Sequence, residues 1–249
     1  MNSKLDIVAL VPARSGSKGI TDKNILPLNG HPLIGYSIVV AKQSKFIKEV
    51  YVTTDSEKYS KISLSYGAKI PFLRPYEISK DLSLDKEFFI HFIEWCKKKR
   101  GRVPDLIVHL RPSTPLRNYQ LVDSAIYKLI SHPEATALRS CQKSELTPYK
   151  MFYDDSGFMR PFMSDDSYLE SYNQPRQVFP NTYLPNGYVD IIRPETLLDT
   201  GLLHGNKILL YVTPKTADID DFKDYEGASV LLKNADYKSL KEALEKQKP

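Results

Sequence analysis

Little in this chain can be cross-linked or drawn into a thiolate metal site. Two cysteines, Cys96 and Cys141, occur in 249 residues, and no CxxC pair is present. A disulfide framework and a cysteine-built zinc site are both excluded. Long apolar runs are missing too. No stretch approaches the roughly 20 residues that a membrane helix needs, and Met1-Asn2-Ser3-Lys4-Leu5-Asp6 has no apolar leader core. These absences predict a cytoplasmic chain with no membrane partner. Charge of one sign is scarce: 35 Lys and Arg against 30 Asp and Glu leave a net charge of +5. The one short basic run, Lys97-Lys98-Lys99-Arg100, ends an apolar stretch and reads as a solvated helix C-terminus. No nucleic-acid partner is expected, whereas a mild positive excess suits small anionic substrates. The five histidines, His31, His91, His109, His132 and His204, have no matched carboxylate spacing. All five are expected to be structural.

What is present is an ordinary globular composition, with 41% hydrophobic and 26% charged residues. The length accommodates one large α/β domain, or such a domain with a small insertion. Ile7-Val8-Ala9-Leu10-Val11 is a short continuous apolar run that ends at Pro12, the pattern of a strand buried on both faces. Periodicity then predicts a helix over residues 32–44, strands over 49–54 and 68–73, and helices over 56–66, 84–99 and 119–131. Gly67 is placed to end the second of these helices, and residues 105–110 form another strand. This alternation predicts a doubly wound, mostly parallel sheet. Residues 141–182, rich in Tyr, Phe, Pro, Asp and Ser, break it and read as an inserted segment of hairpins and loops. Strands resume at 187–192 and 207–212, followed by a helix over 221–232. The catalytic core is thus expected to comprise residues 1–140 and 183–249.

The sharpest feature follows the first strand: Pro12-Ala13-Arg14-Ser15-Gly16-Ser17-Lys18-Gly19, then Lys23-Asn24. In open α/β sheets, ligands bind beyond the carboxyl ends of the strands. Glycines there let backbone N–H groups approach phosphate oxygens. Arg14 offers a planar fork, and Lys18 and Lys23 act as point charges. The glycine spacing matches neither a Walker A loop nor a Rossmann fingerprint. By itself it therefore predicts an anion site without naming the anion.

This loop resembles the nucleotide-binding loop of the acylneuraminate cytidylyltransferases. The resemblance continues through Thr53-Thr54-Asp55-Ser56, Phe72-Leu73-Arg74-Pro75 with Asp81, Leu110-Arg111-Pro112-Ser113-Thr114-Pro115-Leu116-Arg117, Pro185-Asn186-Gly187 and Asp218-Ile219-Asp220. It implies a Rossmann-like nucleotidyltransferase core that activates a 2-keto sugar acid with CTP, in the presence of Mg²⁺. Arg14, Lys23, Asp218 and Asp220 are then the catalytic set, with Asp218 and Asp220 as metal ligands. Two carboxylates two apart in extended backbone share one side, and such oxygen donors suit Mg²⁺. Asp221 and Asp224 read instead as helix-capping groups. Leu10, Ala13, Arg14, Ser15, Lys18, Lys23, Asn24, Arg74 and Asp85 would hold the nucleotide, Arg74 meeting the cytosine. Asp85 can alternatively serve as an acid at a helix N-terminus. Arg111, Ser113, Lys150, Arg176, Gln177 and Asn186 would hold the acceptor. The resemblance also makes the insert a dimerisation element reaching over a partner's site, so a homodimer is expected.

Two departures bear on the acceptor. Arg111 stands where Gln is usual, and Leu184 stands where Arg is common before Pro-Asn-Gly. Sialic, legionaminic, pseudaminic and octulosonic acids all stay open, the last ranking lowest. The rival expectations are a nucleotidylyltransferase for a sugar phosphate or phosphonate, and a CTP-binding homologue without turnover.

Overall fold

The computed structural model describes residues 5–163 and 170–247. Residues 164–169 of the expected insert lie outside them. In chain order the strands are β1 (Ile7–Pro12), β2 (Pro27–Leu28), β3 (His31–Pro32), β4 (Glu49–Thr53), β5 (Leu106–His109), β6 (Ala137–Lys143), β7 (Phe152–Asp155), β8 (Phe158–Pro161), β9 (Tyr183–Ile192) and β10 (Ile208–Val212). The α-helices are α1 (Leu33–Gln43), α2 (Glu57–Ser65), α3 (Asp85–Trp95), α4 (Tyr119–Ile130), α5 (Pro194–Thr200), α6 (Phe222–Leu231) and α7 (Lys238–Glu245).

Six strands form the central sheet in the order β10-β6-β9-β5-β1-β4. β1 pairs in parallel with β4 and β5, and β10 in parallel with β6. Only β9 runs antiparallel, between β5 and β6. The predicted α/β fold with a mostly parallel sheet is therefore the one observed. Alternate residues of β1 serve opposite faces. Ile7, Ala9 and Val11 join a large core under α1 and α4, whereas Val8 and Leu10 join a smaller one with Phe88, Phe89 and Phe92 of α3. No helix among the described residues is long and apolar enough to cross a membrane.

Local chemistry sets the helix limits. The Ser56 hydroxyl accepts from the Tyr59 N–H and caps α2, and Gly67 follows that helix at φ +82°. Asp221 and Asp224 make a reciprocal capping box on α6, as their position predicted. The basic run 97–100 closes α3 in a wide π-type turn that ends at Gly101.

Three expectations need correction. Residues 68–73 are not a strand; they meet β4 at the isolated bridge Tyr51–Lys69 and the residue after it at Thr54–Leu73. Pro71 lies between those bridges and has no N–H to extend the ladder. β6 continues to Lys143, so the departure from the sheet begins at Ser144, three residues past the expected start of the insert. β9 begins at Tyr183 rather than at Gly187, pairing Tyr183, Leu184 and Pro185 with the end of β6.

Candidate active site

A cleft of about 480 Å³ opens at the carboxyl end of β1, walled by the loop after β1, the start of α3, the turn after β5 and Asp220. Arg14, Ser17, Lys18, Gly19, Lys23 and Asn24 supply one wall. Arg74, Asp85 and Phe88 supply a second, and Arg111, Pro112 and Ser113 a third. No histidine or cysteine among the described residues lines it. A Ser–His or Cys–His nucleophile is therefore absent from this wall, and the chemistry available is positioning and charge.

The loop is held by its neighbours before any ligand is considered. The backbone N–H and hydroxyl of Ser15 donate to Asp55 at 2.7 and 2.6 Å. Asn24 donates from its side chain to the Arg14 carbonyl at 2.9 Å. Gly16 takes φ +70°, which an L side chain resists. Ser15 and Asn24 thus shape the loop. Leu10 and Ala13 are fully buried and stand behind it: the Leu10 carbonyl accepts from the Leu110 N–H, and the Ala13 N–H donates to the Thr53 carbonyl. Neither is among the described residues that line the cleft.

The cations of the loop face a carboxylate. Arg14 and Lys18 meet Asp81 at 2.8 and 2.7 Å, and Lys23 meets Asp220 at 2.7 Å. Hydrogen bonding from Lys18, with Arg14 beside it, holds the Asp81 carboxyl below its ordinary range. These pairs lie close to solvent, so each contributes little to stability and can be exchanged for a phosphate.

Arg74 differs, being 5% exposed. It donates to the Thr53 carbonyl at 3.3 Å and sits 5.5 Å from the Phe88 ring centroid. Burial draws its pKa down to about 10, so it stays cationic at neutral pH. Its Nε–H has no partner among the described residues. A buried donor in a cleft wall is costly unless a ligand oxygen or nitrogen satisfies it.

Behind the third wall lies a charge network. Arg111 donates to Asp85 at 2.8 Å and to Asp190 at 3.0 Å. Burial opposes the Arg111 charge, but Asp190 and Asp85 together hold its pKa above the ordinary value. Asp190 is 1% exposed and has Arg139 at 3.6 Å. Arg117 is fully buried, and its guanidinium donates to the Arg111, Gly187 and Tyr188 carbonyls and the Ser37 hydroxyl. It ties the turn after β5 to β9. Sequence reasoning assigned no role to Asp55, Asp190 or Arg117. An acid in the apolar run of β9 was a readable signal for Asp190, since buried carboxylates need partners.

Asp218 and Asp220 are exposed on either side of the fully buried Ile219, the alternation expected of extended backbone. The Ile219 N–H donates to the Ser113 carbonyl at 2.8 Å, and Thr114 donates to Asp218 at 3.3 Å. The segment is thereby fixed beside the cleft, with Asp220 on its wall. No group of three or more His, Cys, Asp or Glu suited to a metal occurs among the described residues. Two accessible carboxylates still fit a hard divalent cation that takes its remaining oxygens from water and phosphate.

The other acceptor candidates are not brought to the cleft within one chain. Arg176 and Gln177 line a separate hollow in the insert with Lys143 and Phe179, and Arg176 donates to the Ser144 carbonyl. Lys150 stands over the Phe179 ring. Asn186 is buried: it donates to Thr213 at 2.7 Å and accepts from the Tyr188 N–H, so its amide is occupied internally.

Comparison with known proteins places this geometry. The family described as Cytidylyltransferase matches residues 8–134, which hold the loop, Arg74, Asp85 and Arg111. An N-acylneuraminate cytidylyltransferase of Escherichia coli O18:K1:H7 is 33% identical over 228 residues, 89% of this chain and 51% of that protein. This chain therefore spans about half the length of that relative. A pseudaminic acid cytidylyltransferase of Campylobacter jejuni is 28% identical over 228 residues, 91% of this chain and 96% of that protein. A solved CMP:2-keto-3-deoxy-manno-octonic acid synthetase, complexed with CTP, superposes with a TM-score of 0.66 at 16% identity. It covers 91% of this chain and 98% of its own, a likeness of fold. The half of the chain that carries the glycine-bearing loop after β1 is thus the half the family model matches, and this protein belongs to the cytidylyltransferase family.

Proposed function

We propose that the chain transfers the CMP moiety of CTP to the hydroxyl of a 2-keto sugar acid of the nonulosonic class, releasing pyrophosphate. The observation that carries this reading is the convergence of Arg14, Lys18, Lys23, Arg74 and Asp220 on one cleft at the end of β1. The names of the relatives, an N-acylneuraminate and a pseudaminic acid cytidylyltransferase, supply the acceptor class.

In this reading the triphosphate displaces Asp81 from Arg14 and Lys18. Lys23 exchanges Asp220 for a phosphate oxygen and neutralises charge at the α-phosphate and the departing pyrophosphate. Arg74, on the cleft wall, meets the cytosine. Asp218 and Asp220 would hold Mg²⁺, which supplies charge neutralisation and a more acidic acceptor hydroxyl when bound. Lys150, Arg176 and Gln177 take the carboxylate of an acid bound to a second copy, in a cytoplasmic homodimer. The exposed Phe158, Met159 and Phe162 of the insert support such an interface. The double pairing of Arg111 weighs against a phosphate-bearing acceptor, because little net charge is left there for a dianion.

The test is pyrophosphate release from CTP and Mg²⁺ with N-acetylneuraminate, legionaminate, pseudaminate or 3-deoxy-octulosonate. Release with one acid and with CTP, but not ATP or UTP, is expected, and Asp220→Asn is expected to abolish it in a folded protein. CTP binding without release for any acid would overturn the reading in favour of a non-catalytic homologue. Release with a sugar phosphate alone would move the acceptor class.

A further inference from the structure

The third wall of the cleft carries a side-chain pair whose chemistry is not that of either residue alone. Arg111 has five N–H donors, of which the Asp85 and Asp190 contacts use two. Its side chain is 26% exposed and lines the cleft. Asp85 spends one carboxylate oxygen on Arg111 and is 41% exposed. It stands at the first position of α3, on the cleft wall beside Phe88. Asp190, at 1% exposure, balances Arg111 from behind and shares its own charge with Arg139. Summed over Asp85, Arg111, Asp190 and Arg139, the formal charge is zero.

Among the described residues the wall therefore offers N–H donors and a carboxylate oxygen beyond those these pairs use, with no net charge. An anion seated on Arg111 would also meet the Asp85 oxygen, and the attraction and repulsion would largely cancel. A neutral group that accepts and donates at adjacent atoms has no such conflict. We propose that Asp85 and Arg111 act as one neutral donor–acceptor unit that reads an amide substituent of the acceptor, Arg111 donating to its carbonyl and Asp85 accepting from its N–H. The proposal rests on the cytidylyltransferase reading above and deepens it. It also accounts for the arginine at a position where the resembling motif carries glutamine. A glutamine both donates and accepts, and arginine recovers the missing acceptor from Asp85.

The experiment is steady-state kinetics with CTP and the accepted sugar acid for Arg111→Gln, Asp85→Ala and the double variant. Each single change leaves an unmatched charge on the wall and is expected to raise the KM of the acid roughly tenfold, the size of one charge-assisted hydrogen bond. For Arg111→Gln the KM of CTP should stay within about twofold, which also reports that the fold is intact. The double variant leaves a lone neutral amide and is expected to recover to within about threefold of the parent. Additive losses in the double variant, or losses confined to the KM of CTP, would overturn the pair as an acceptor-reading unit while the transferase reading stands. A parent enzyme silent with every sugar acid would remove the transferase reading itself, and the pair's role with it. Should a single variant fail to fold, the parent is compared on an N-acylated acid and its N-deacylated amine. A drop of roughly tenfold in kcat/KM for the amine is expected, and equal values would overturn the proposal.

Discussion

The carbonyl oxygen of Asp220 lies 2.5 Å from the point where a Cβ on Gly19 would stand. No real Cβ tolerates that approach, and the neighbour is backbone rather than a flexible side chain. Glycine at position 19 is thus what allows the phosphate loop and the carboxylate segment to close on one cleft.

Gly19→Ala is accordingly expected to push the loop and the segment apart. Both residues are exposed, so the thermal midpoint should change little. The kcat/KM for CTP should fall at least about tenfold, since misplacing charged groups costs transition-state stabilisation. Near-parental kinetics in the folded variant would show that the loop adapts.

In the proposed reading, Asp81, paired with Arg14 and Lys18, competes with phosphate for them. Asp81→Asn removes the competitor's charge but keeps its shape. The KM for CTP should drop, by at most about fivefold given the small worth of exposed ion pairs. The drop should shrink as salt rises. An increase in KM would mean that Asp81 contacts the nucleotide rather than standing in for it.

Acid sensitivity has an identifiable source in His109. Its ring is 1% exposed, lies against Phe88 and Phe89, and has neither nitrogen hydrogen-bonded among the described residues. Burial, with Arg111 and Arg117 nearby, pushes its pKa well below the ordinary 6.5. The unfolded chain then binds a proton there that the folded one refuses. Stability should fall as pH drops below about 6.5, by up to about 1.4 kcal/mol per pH unit for this one group. His91 and His204, also lowered by burial, add to the slope. Urea midpoints at pH 7.5 and 5.5 should differ less in His109→Leu than in the parent. An unchanged difference would assign the acid sensitivity elsewhere.

The strands and helices that could be read from the sequence were those with strong local chemistry: the β-branched run of β1, the Ser56 and Asp221 caps, the glycine after α2. Residues 68–73 failed because apolar content resembles a strand, while pairing is a tertiary matter and Pro71 cannot donate. In the same way, residue type announced Arg14, Lys18, Lys23 and Arg74, but not what holds them. Asp55, Asp81, Asp190 and Arg117 act through side-chain partners 40 to 80 positions away or through backbone carbonyls of other strands. The setting of Asn186 was hidden for the same reason. A motif gives the side chain, and only the fold reveals that Thr213 and Tyr188 have already claimed it.

The antiparallel seating of β9 also has a consequence for how the chain is made. While the first 182 residues emerge from a ribosome, β4, β1 and β5 can assemble as a parallel trio, yet β6 has neither of its eventual neighbours. Both arrive later, β9 on one side and β10 on the other. Until then the inner edges of β5 and β6 stand open, with unpaired backbone groups that invite pairing between nascent chains. Prematurely terminated products should therefore precipitate rather than persist as a small soluble nucleotide binder. Splitting this protein into independently expressed halves would have to respect β9 as the strand that joins them.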